Sequence, residues 1–149
     1  MASPETQPEV LCIDDNPEFC QLIDQITQLS GHRLKSCSDP REALELLTQG
    51  SEAYYAIFVD HIMPEITGEE LAKYIRQMDR LTPIVMISGT QFKPEEFERM
   101  RNIGIDKFIC KPFDIDEILE TLTAVPQIRS QRESSNNNPY WQSYSNVIL

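Results

Sequence analysis

Short runs of apolar residues alternate with longer mixed segments along most of the chain. The runs occupy residues 10–13, 33–38, 55–60, 84–87 and 107–110. A short apolar run bounded by turn signals is typical of a strand buried on both faces of a parallel sheet. The second run is the weakest, because only Leu34 and Cys37 are apolar in it. The pattern therefore predicts five strands.

The segments between the runs have helical periodicity. In the first of them, the apolar residues at the i, i+3, i+4 and i+7 positions of an amphipathic helix are Phe19, Leu22, Ile23 and Ile26. Asn16 is a strong N-cap and Pro17 suits the first helical position, so we expect this helix to run from there to about Ser30. The same reasoning predicts helices over about 39–50, 68–80, 94–102 and 114–124, and Pro126 is predicted to end the last one.

Strands that alternate with helices indicate an α/β fold with a parallel sheet between two helical layers. We expect a flavodoxin-like (βα)5 three-layer sandwich with strand order 2-1-3-4-5, which puts the first and third strands side by side. The domain is predicted over residues 8–125, after a flexible leader at 1–7. Residues 126–149 are predicted to form a polar linker and a tail that regains aromatic and apolar residues at its end.

Composition and charge argue against several classes of protein. The 149-residue chain has a net charge of -11, whereas direct binding to nucleic acid requires a basic footprint. No apolar run is long enough to span a membrane and the polar N-terminus does not resemble a signal peptide, so we expect a cytoplasmic protein without membrane contacts. The four cysteines form no C-x-x-C pair. Cys12 and Cys110 lie in apolar runs and are expected to be buried.

Polar residues stand where the predicted strands end: Asp14 and Asp15, Asp60, Ser88 and Lys111. In open parallel sheets ligands bind at the carboxyl ends of the strands, so we expect these side chains to converge. Three neighbouring carboxylates repel one another unless a cation joins them, and Mg²⁺ accepts carboxylates together with a phosphate oxygen. The set predicts a site for a phosphoryl group, in which a carboxylate can be the nucleophile. Taken singly, each residue could instead be a helix-capping acid, a loop hydroxyl or a solvated lysine.

The order and spacing of these residues resemble the two-component response-regulator receiver domain of the CheY-like superfamily. The resemblance covers residues 8–125, and the motifs that carry it are Asp14-Asp15, Asp60 with Met63-Pro64 and Gly68, Ser88-Gly89, Phe108, and Lys111-Pro112-Phe113. It implies that Asp60 receives a phosphoryl group from a histidine kinase or a phosphotransfer protein. The chain would then be a phosphoprotein that catalyses only its own phosphorylation and dephosphorylation.

The resemblance also assigns roles to the other site residues. Mg²⁺ is expected on Asp14, Asp15, Asp60 and the backbone carbonyl of Ile62. Ser88 and Lys111 are expected to contact the phosphoryl oxygens, and the small Gly89 leaves room for them. Phe108 is expected to turn inward on activation, and the Lys111-Pro112 peptide bond is expected to be cis.

Phosphorylation would switch the binding of an unknown downstream protein, with a homodimer as one option and no direct contact with nucleic acid or membrane. We expect a single-domain regulator, because the residues outside 8–125 are too few for an output domain. Three other hypotheses stay open: a phosphorylation-independent scaffold, a Mg²⁺-dependent phosphatase that uses Asp60 as nucleophile, and a nucleotide- or flavin-binding domain. Ile62 stands where such phosphatases often carry a second Asp, and a Gly-rich phosphate loop is missing after the first strand.

Overall fold

A computed structural model of the chain describes residues 7–50 and 54–136. Its strands are β1 (Glu9–Ile13), β2 (Leu34–Cys37), β3 (Tyr54–Asp60), β4 (Ile84–Ser88) and β5 (Lys107–Cys110). Its helices are α1 (Pro17–Leu29), α2 (Pro40–Gly50), α3 (Gly68–Met78), α4 (Pro94–Ile103) and α5 (Ile115–Asn136). The strands pair in parallel in the order β2-β1-β3-β4-β5, which confirms the predicted fold.

Two apolar cores lie on opposite faces of the sheet. On one face α1 and α5 pack on alternate strand residues such as Phe58 and Val85. On the other face α2, α3 and α4 cover their neighbours, such as Ile57 and Met86. Because successive strand residues point to opposite faces, strands covered on both sides are apolar throughout. No helix in the described part of the chain is long and apolar enough to cross a membrane.

Local hydrogen bonds start α1 directly after the acidic end of β1. The side-chain oxygen of Asn16 accepts from the backbone N–H of Glu18 at 3.0 Å and of Phe19 at 3.4 Å. Pro17 occupies the first turn, where its missing N–H costs nothing. The predicted capping therefore holds, and it fixes the direction in which the chain leaves Asp14 and Asp15.

The last helix is longer than predicted. α5 continues through Pro126 to Asn136, so the prediction of a helix end at Pro126 and a flexible linker after it is wrong over this stretch. A proline cannot donate to the carbonyl four residues earlier, which here belongs to Leu122. The hydroxyl of Tyr55 donates to that carbonyl at 2.7 Å and replaces the missing bond. Residues 1–6 of the predicted leader and 137–149 of the predicted tail lie outside the described residues.

Two arginines hold the added turns of α5 against the opposite end of the sheet from the acidic cluster. Arg129 donates to the carbonyl of Tyr54 at 3.1 Å. Arg132 donates to both carboxylate oxygens of Asp106, at 2.8 and 2.9 Å, and to the carbonyl of Gly104 at 2.6 Å. These bonds tie the helix to the start of β3 and to the segment that leads into β5.

The cysteine predictions hold in one case and fail in the other. Cys12 is buried in β1, whereas Cys110 is exposed at the end of β5. Since β5 is an edge strand of the sheet, the end of the strand is open to solvent. All four cysteines are free thiols.

Candidate functional site

Three carboxylates meet at the carboxyl edge of the sheet, where β1 and β3 end side by side. One oxygen from each of Asp14, Asp15 and Asp60 lies within 4.8 Å of the others. Asp14 is 1% exposed, whereas Asp15 is open to solvent and Asp60 is half-buried. The adjacency of β1 and β3 therefore brings together the three acids that the sequence predicted.

Lys111 joins this cluster from the end of β5. Its Nζ lies 3.4 Å from Oδ1 of Asp60 and 3.7 Å from Oδ2 of Asp14. The ammonium also lies 4.2 Å from the ring centroid of Phe19 in the first turn of α1, in a cation–π contact. Phe113 packs edge-on against that ring, with centroids 5.8 Å apart. The helical spacing indicated Phe19 only as a core residue and did not indicate that its ring contacts the Lys111 ammonium.

The buried carboxylate of Asp14 is incompletely satisfied. Its Oδ1 accepts from the backbone N–H of Asn16 at 2.9 Å, while its Oδ2 is buried with no hydrogen bond. Burial raises the pKa of Asp14 from 3.8 to about 6, and the charge of Asp60 adds to the rise. Lys111 partly offsets this effect without cancelling it. The cluster thus has a surplus of negative charge and a buried oxygen without a hydrogen bond, which fits a hard divalent cation such as Mg²⁺.

Ser88 and Gly89 border the cluster at the end of β4. The Ser88 hydroxyl oxygen accepts from the N–H of Thr90 at 2.9 Å, and its carbonyl accepts from the N–H of Lys111 at 2.8 Å. A Cβ built on Gly89 meets no atom within 4 Å. A side chain at position 89 would therefore point into open space.

The loop after β3 depends on a close backbone approach at Gly68. Its N–H donates to the carbonyl of His61 at 2.7 Å, and a Cβ at this position would lie 2.3 Å from the carbonyl oxygen of Asp60. Only glycine fits there without moving the strand end. The same loop exposes the side chain of Ile62, which is 66% accessible.

Phe108 lies in an aromatic cluster between β5 and α4. Its ring centroid is 5.0 Å from that of Phe97 and 6.5 Å from that of Phe92, both edge-on. Phe92 in turn contacts the ring of His61, one residue beyond Asp60, at 4.8 Å. The sequence singled out Phe108 but not Phe92, because Phe92 stands in a loop without periodicity. The Lys111-Pro112 bond that follows β5 is cis, as the resemblance implied.

A family model for the response regulator receiver domain matches residues 10–123. The chain is 28% identical over 131 residues to the transcriptional regulatory protein CpxR homolog of Haemophilus influenzae, covering 87% of this chain and 54% of that one. It is 30% identical over 126 residues to the C4-dicarboxylate transport transcriptional regulatory protein DctD of Pseudomonas aeruginosa, covering 84% and 26%. It is 29% identical over 110 residues to the two-component response regulator ORR3 of Oryza sativa subsp. indica, covering 73% and 83%. The chain thus spans about half and about a quarter of the two bacterial relatives.

Solved structures with the same architecture include a chemotaxis response regulator. CheY4 of Vibrio cholerae superposes with a TM-score of 0.71 at 30% identity, covering 80% of this chain and 99% of that one. The receiver domain of the Francisella response regulator 1452 superposes with a TM-score of 0.72 at 28% identity, covering 81% and 98%. Both likenesses extend over nearly the whole of the compared chain.

Proposed function

Since the chain belongs to the response regulator receiver domain family of two-component systems, we propose that it signals by accepting a phosphoryl group on Asp60. Receiver domains are signalling proteins rather than conventional enzymes, and the phosphorylated form is proposed to bind other proteins differently. The observation that carries the proposal is the cluster of Asp14, Asp15 and Asp60 within 4.8 Å, with the Lys111 ammonium 3.4 Å from Asp60.

The chemistry proposed for Asp60 is an in-line displacement at phosphorus. A carboxylate oxygen of Asp60 attacks the phosphorus of a phosphohistidine on the donor protein. The new P–O bond forms as the P–N bond breaks, and the leaving imidazole takes up a proton. Asp60 stands half-buried at the strand end, at the edge of the sheet where such a donor would approach.

The other residues at the edge neutralise the charge that transfer brings together. Asp14, Asp15, Asp60 and the backbone carbonyl of Ile62 would hold Mg²⁺, which when bound stabilises negative charge on the transferring group. Lys111, whose ammonium lies 4.2 Å from the centroid of the Phe19 ring, would bind a phosphoryl oxygen.

The change after phosphorylation is proposed to begin at Ser88. The hydroxyl oxygen that accepts from Thr90 is available to turn toward a phosphoryl oxygen and donate to it, and the open space at Gly89 leaves room for that group. Phe108 packs against Phe97 of α4, so its movement would alter the surface of α4, β5 and α5. We propose this surface as the site for the downstream partner or a second copy of the chain.

Radiolabelled acetyl phosphate tests the proposed chemistry without a cognate kinase. We expect acid-stable, base-labile label on the wild type in the presence of Mg²⁺, and none with EDTA or on Asp60→Asn. The matched control is Asp116→Asn, the same substitution at an exposed position of α5, and it should label like the wild type.

Three outcomes would contradict the proposal. Complete absence of label on the wild type would favour a phosphorylation-independent scaffold. Undiminished label on Asp60→Asn would show that another residue is the phosphoacceptor. Steady release of phosphate that depends on Asp60, with no label trapped at any time, would instead favour the phosphatase.

A further inference from the structure

Two buried thiols lie next to each other behind the acidic cluster. The sulfur atoms of Cys12 in β1 and Cys20 in α1 are 3.9 Å apart. Cys12 is 1% exposed and Cys20 is 6% exposed. A disulfide has an S–S bond of about 2.05 Å, so the two sulfurs would have to approach by roughly 2 Å to be joined. The phosphoryl chemistry proposed for the site uses neither thiol.

A cleft gives one of these thiols a path to solvent. Cys20 lines an open cleft of about 320 Å³ between α1 and the ends of β2 and β1, together with Asp14, Gln21 and Cys37. Cys12 does not line the cleft and lies beyond Cys20 in the core of the α1 face. A small reagent in the cleft would therefore meet Cys20 first, with Cys12 as the thiol next to it.

The position of Cys20 is coupled to the acidic cluster through two contacts. Its Sγ lies 3.6 Å from the backbone carbonyl of Asp14, in a thiol hydrogen bond. The residue before it is Phe19, whose ring centroid lies 4.2 Å from the Lys111 ammonium. A shift of Cys20 toward Cys12 would break the first contact and move the second. The first turn of α1 thus connects the thiol pair to both charged parts of the site.

We propose that Cys12 and Cys20 are an oxidation site, at which hydrogen peroxide converts the two thiols to an intramolecular disulfide that weakens the acidic cluster. In the first step the Cys20 sulfur attacks the peroxide, the O–O bond breaks, and the products are a sulfenic acid and water. In the second step the Cys12 sulfur attacks the Cys20 sulfur and a second water leaves. The two thiols lose two electrons and two protons in total, and one equivalent of peroxide is reduced to two waters. Thiol reductants reverse the reaction by exchange.

The consequence for signalling rests on the function proposed above. Groups that orient metal ligands typically change metal affinity by 10- to 100-fold when they are altered. We expect the disulfide to lower the initial rate of Mg²⁺-dependent labelling from acetyl phosphate by about tenfold, and a dithiol reductant to restore it.

Trypsin provides a readout that is independent of phosphorylation. No Lys or Arg precedes Arg33, so residues 1–33 form one peptide that contains Cys12 and Cys20 and neither other cysteine. The Cys110→Ser variant, which removes the exposed thiol, would be treated with hydrogen peroxide, alkylated and digested. We expect this peptide to escape alkylation and to be lighter than the reduced peptide by two hydrogen atoms.

Several results would overturn the proposed oxidation site. One is that both thiols of peptide 1–33 are still alkylated at a peroxide dose that fully oxidises the Cys110 thiol of the wild type. Another is a disulfide cross-link between this peptide and the peptide that contains Cys37. Peroxide should not change the rate at which the Cys12→Ala and Cys20→Ala variants are labelled by acetyl phosphate. If both variants prove unstable, the mass of peptide 1–33 still shows whether the disulfide forms. Formation of the disulfide with an unchanged labelling rate would refute the coupling to the cluster. Absence of label even in the reduced protein would instead count against the function proposed for Asp60.

Discussion

The buried carboxylate of Asp14 makes stability depend on pH at the scale of a single residue. Its pKa in the folded protein is raised from 3.8 to about 6 by burial, so the native state holds a proton more tightly than the unfolded state does. The stabilising effect of that proton is fully present below about pH 4 and is lost as the pH rises through about 6. In EDTA at about pH 8, we expect Asp14→Asn to raise the free energy of unfolding by about 1–3 kcal/mol. Urea unfolding over a pH series measures this gain.

The gain should shrink as the pH falls toward about 4, where the wild-type carboxyl is protonated as well. Asp116→Asn on exposed α5 is the control, and it should change stability by less than about 0.5 kcal/mol. A gain of the same size at both ends of the pH series would show that charge is not its cause. Added Mg²⁺ should make the wild type more stable than Asp14→Asn, because a ligand that binds only the folded wild type stabilises it by mass action.

Individual site residues were predictable where an apolar run stops at a polar residue. The apolar run of β3 stops at Asp60, and the runs of β1 and β5 stop at Asp14 and Lys111 in the same way. Their unequal environments were not predictable, because the burial of Asp14 and the exposure of Asp15 depend on where α1 turns away. The cation–π contact of Phe19 was hidden for the same reason, since its helical spacing marks it only as a core residue.

At the scale of elements, the junction between β3 and α5 decides how far α5 extends. Pro126 leaves the carbonyl of Leu122 without its helical partner, and the Tyr55 hydroxyl donates to it at 2.7 Å. We expect Tyr55→Phe to lower the free energy of unfolding by about 1–2 kcal/mol, because a polar group near the core is left unpaired. Chemical denaturation of the full chain measures the loss.

A second substitution isolates the cause of that loss. Pro126→Ala restores an N–H four residues after Leu122, so Tyr55→Phe should cost distinctly less in the Pro126→Ala background than in the wild type. Equal costs in both backgrounds would mean that Tyr55 acts by packing, for instance against His32, whose ring stacks on it at 4.1 Å.

The extension of α5 was out of reach of local sequence rules. A proline inside a helical pattern is normally a stop signal, because the ring blocks one hydrogen bond of the helix. Here the replacement donor, Tyr55, stands 67 positions before Leu122 in the chain, and only the packing of α5 across β3 brings it close. A long-range partner of this kind produces no periodic pattern in the sequence. The start of α1 was predictable, because Asn16 and Pro17 act within one helical turn.

At the scale of the whole molecule, the alternation of apolar runs with helical segments was sufficient to predict the layers. Buried strands have to be apolar on both faces, so the five runs and their order left few arrangements of a parallel sheet. The ion pairs at the far end of the sheet were not foreseen. Arg76 and Asp106 are buried and half-buried, yet each reads as an ordinary charged residue in its segment.

These charges join α3, β5 and α5 into one assembly. Asp106 accepts from Arg76 at 3.1 Å and from Arg132 at 2.8 Å, and Arg129 reaches the carbonyl of Tyr54. The side chains of Arg132 and Asp106 are 14% and 13% exposed, so water screens their attraction only in part. We expect the double variant Arg129→Ala/Arg132→Ala to lose about 2–4 kcal/mol of unfolding free energy, because Asp106 keeps only one of its two arginines. The matched control is Gln127→Ala/Gln131→Ala, two exposed positions on the same turns of α5, where alanine should be neutral or slightly stabilising. Urea unfolding of both variants tests whether the extension of α5 stabilises the sheet. If the extension only lies against the sheet, the two double variants should unfold at the same urea midpoint.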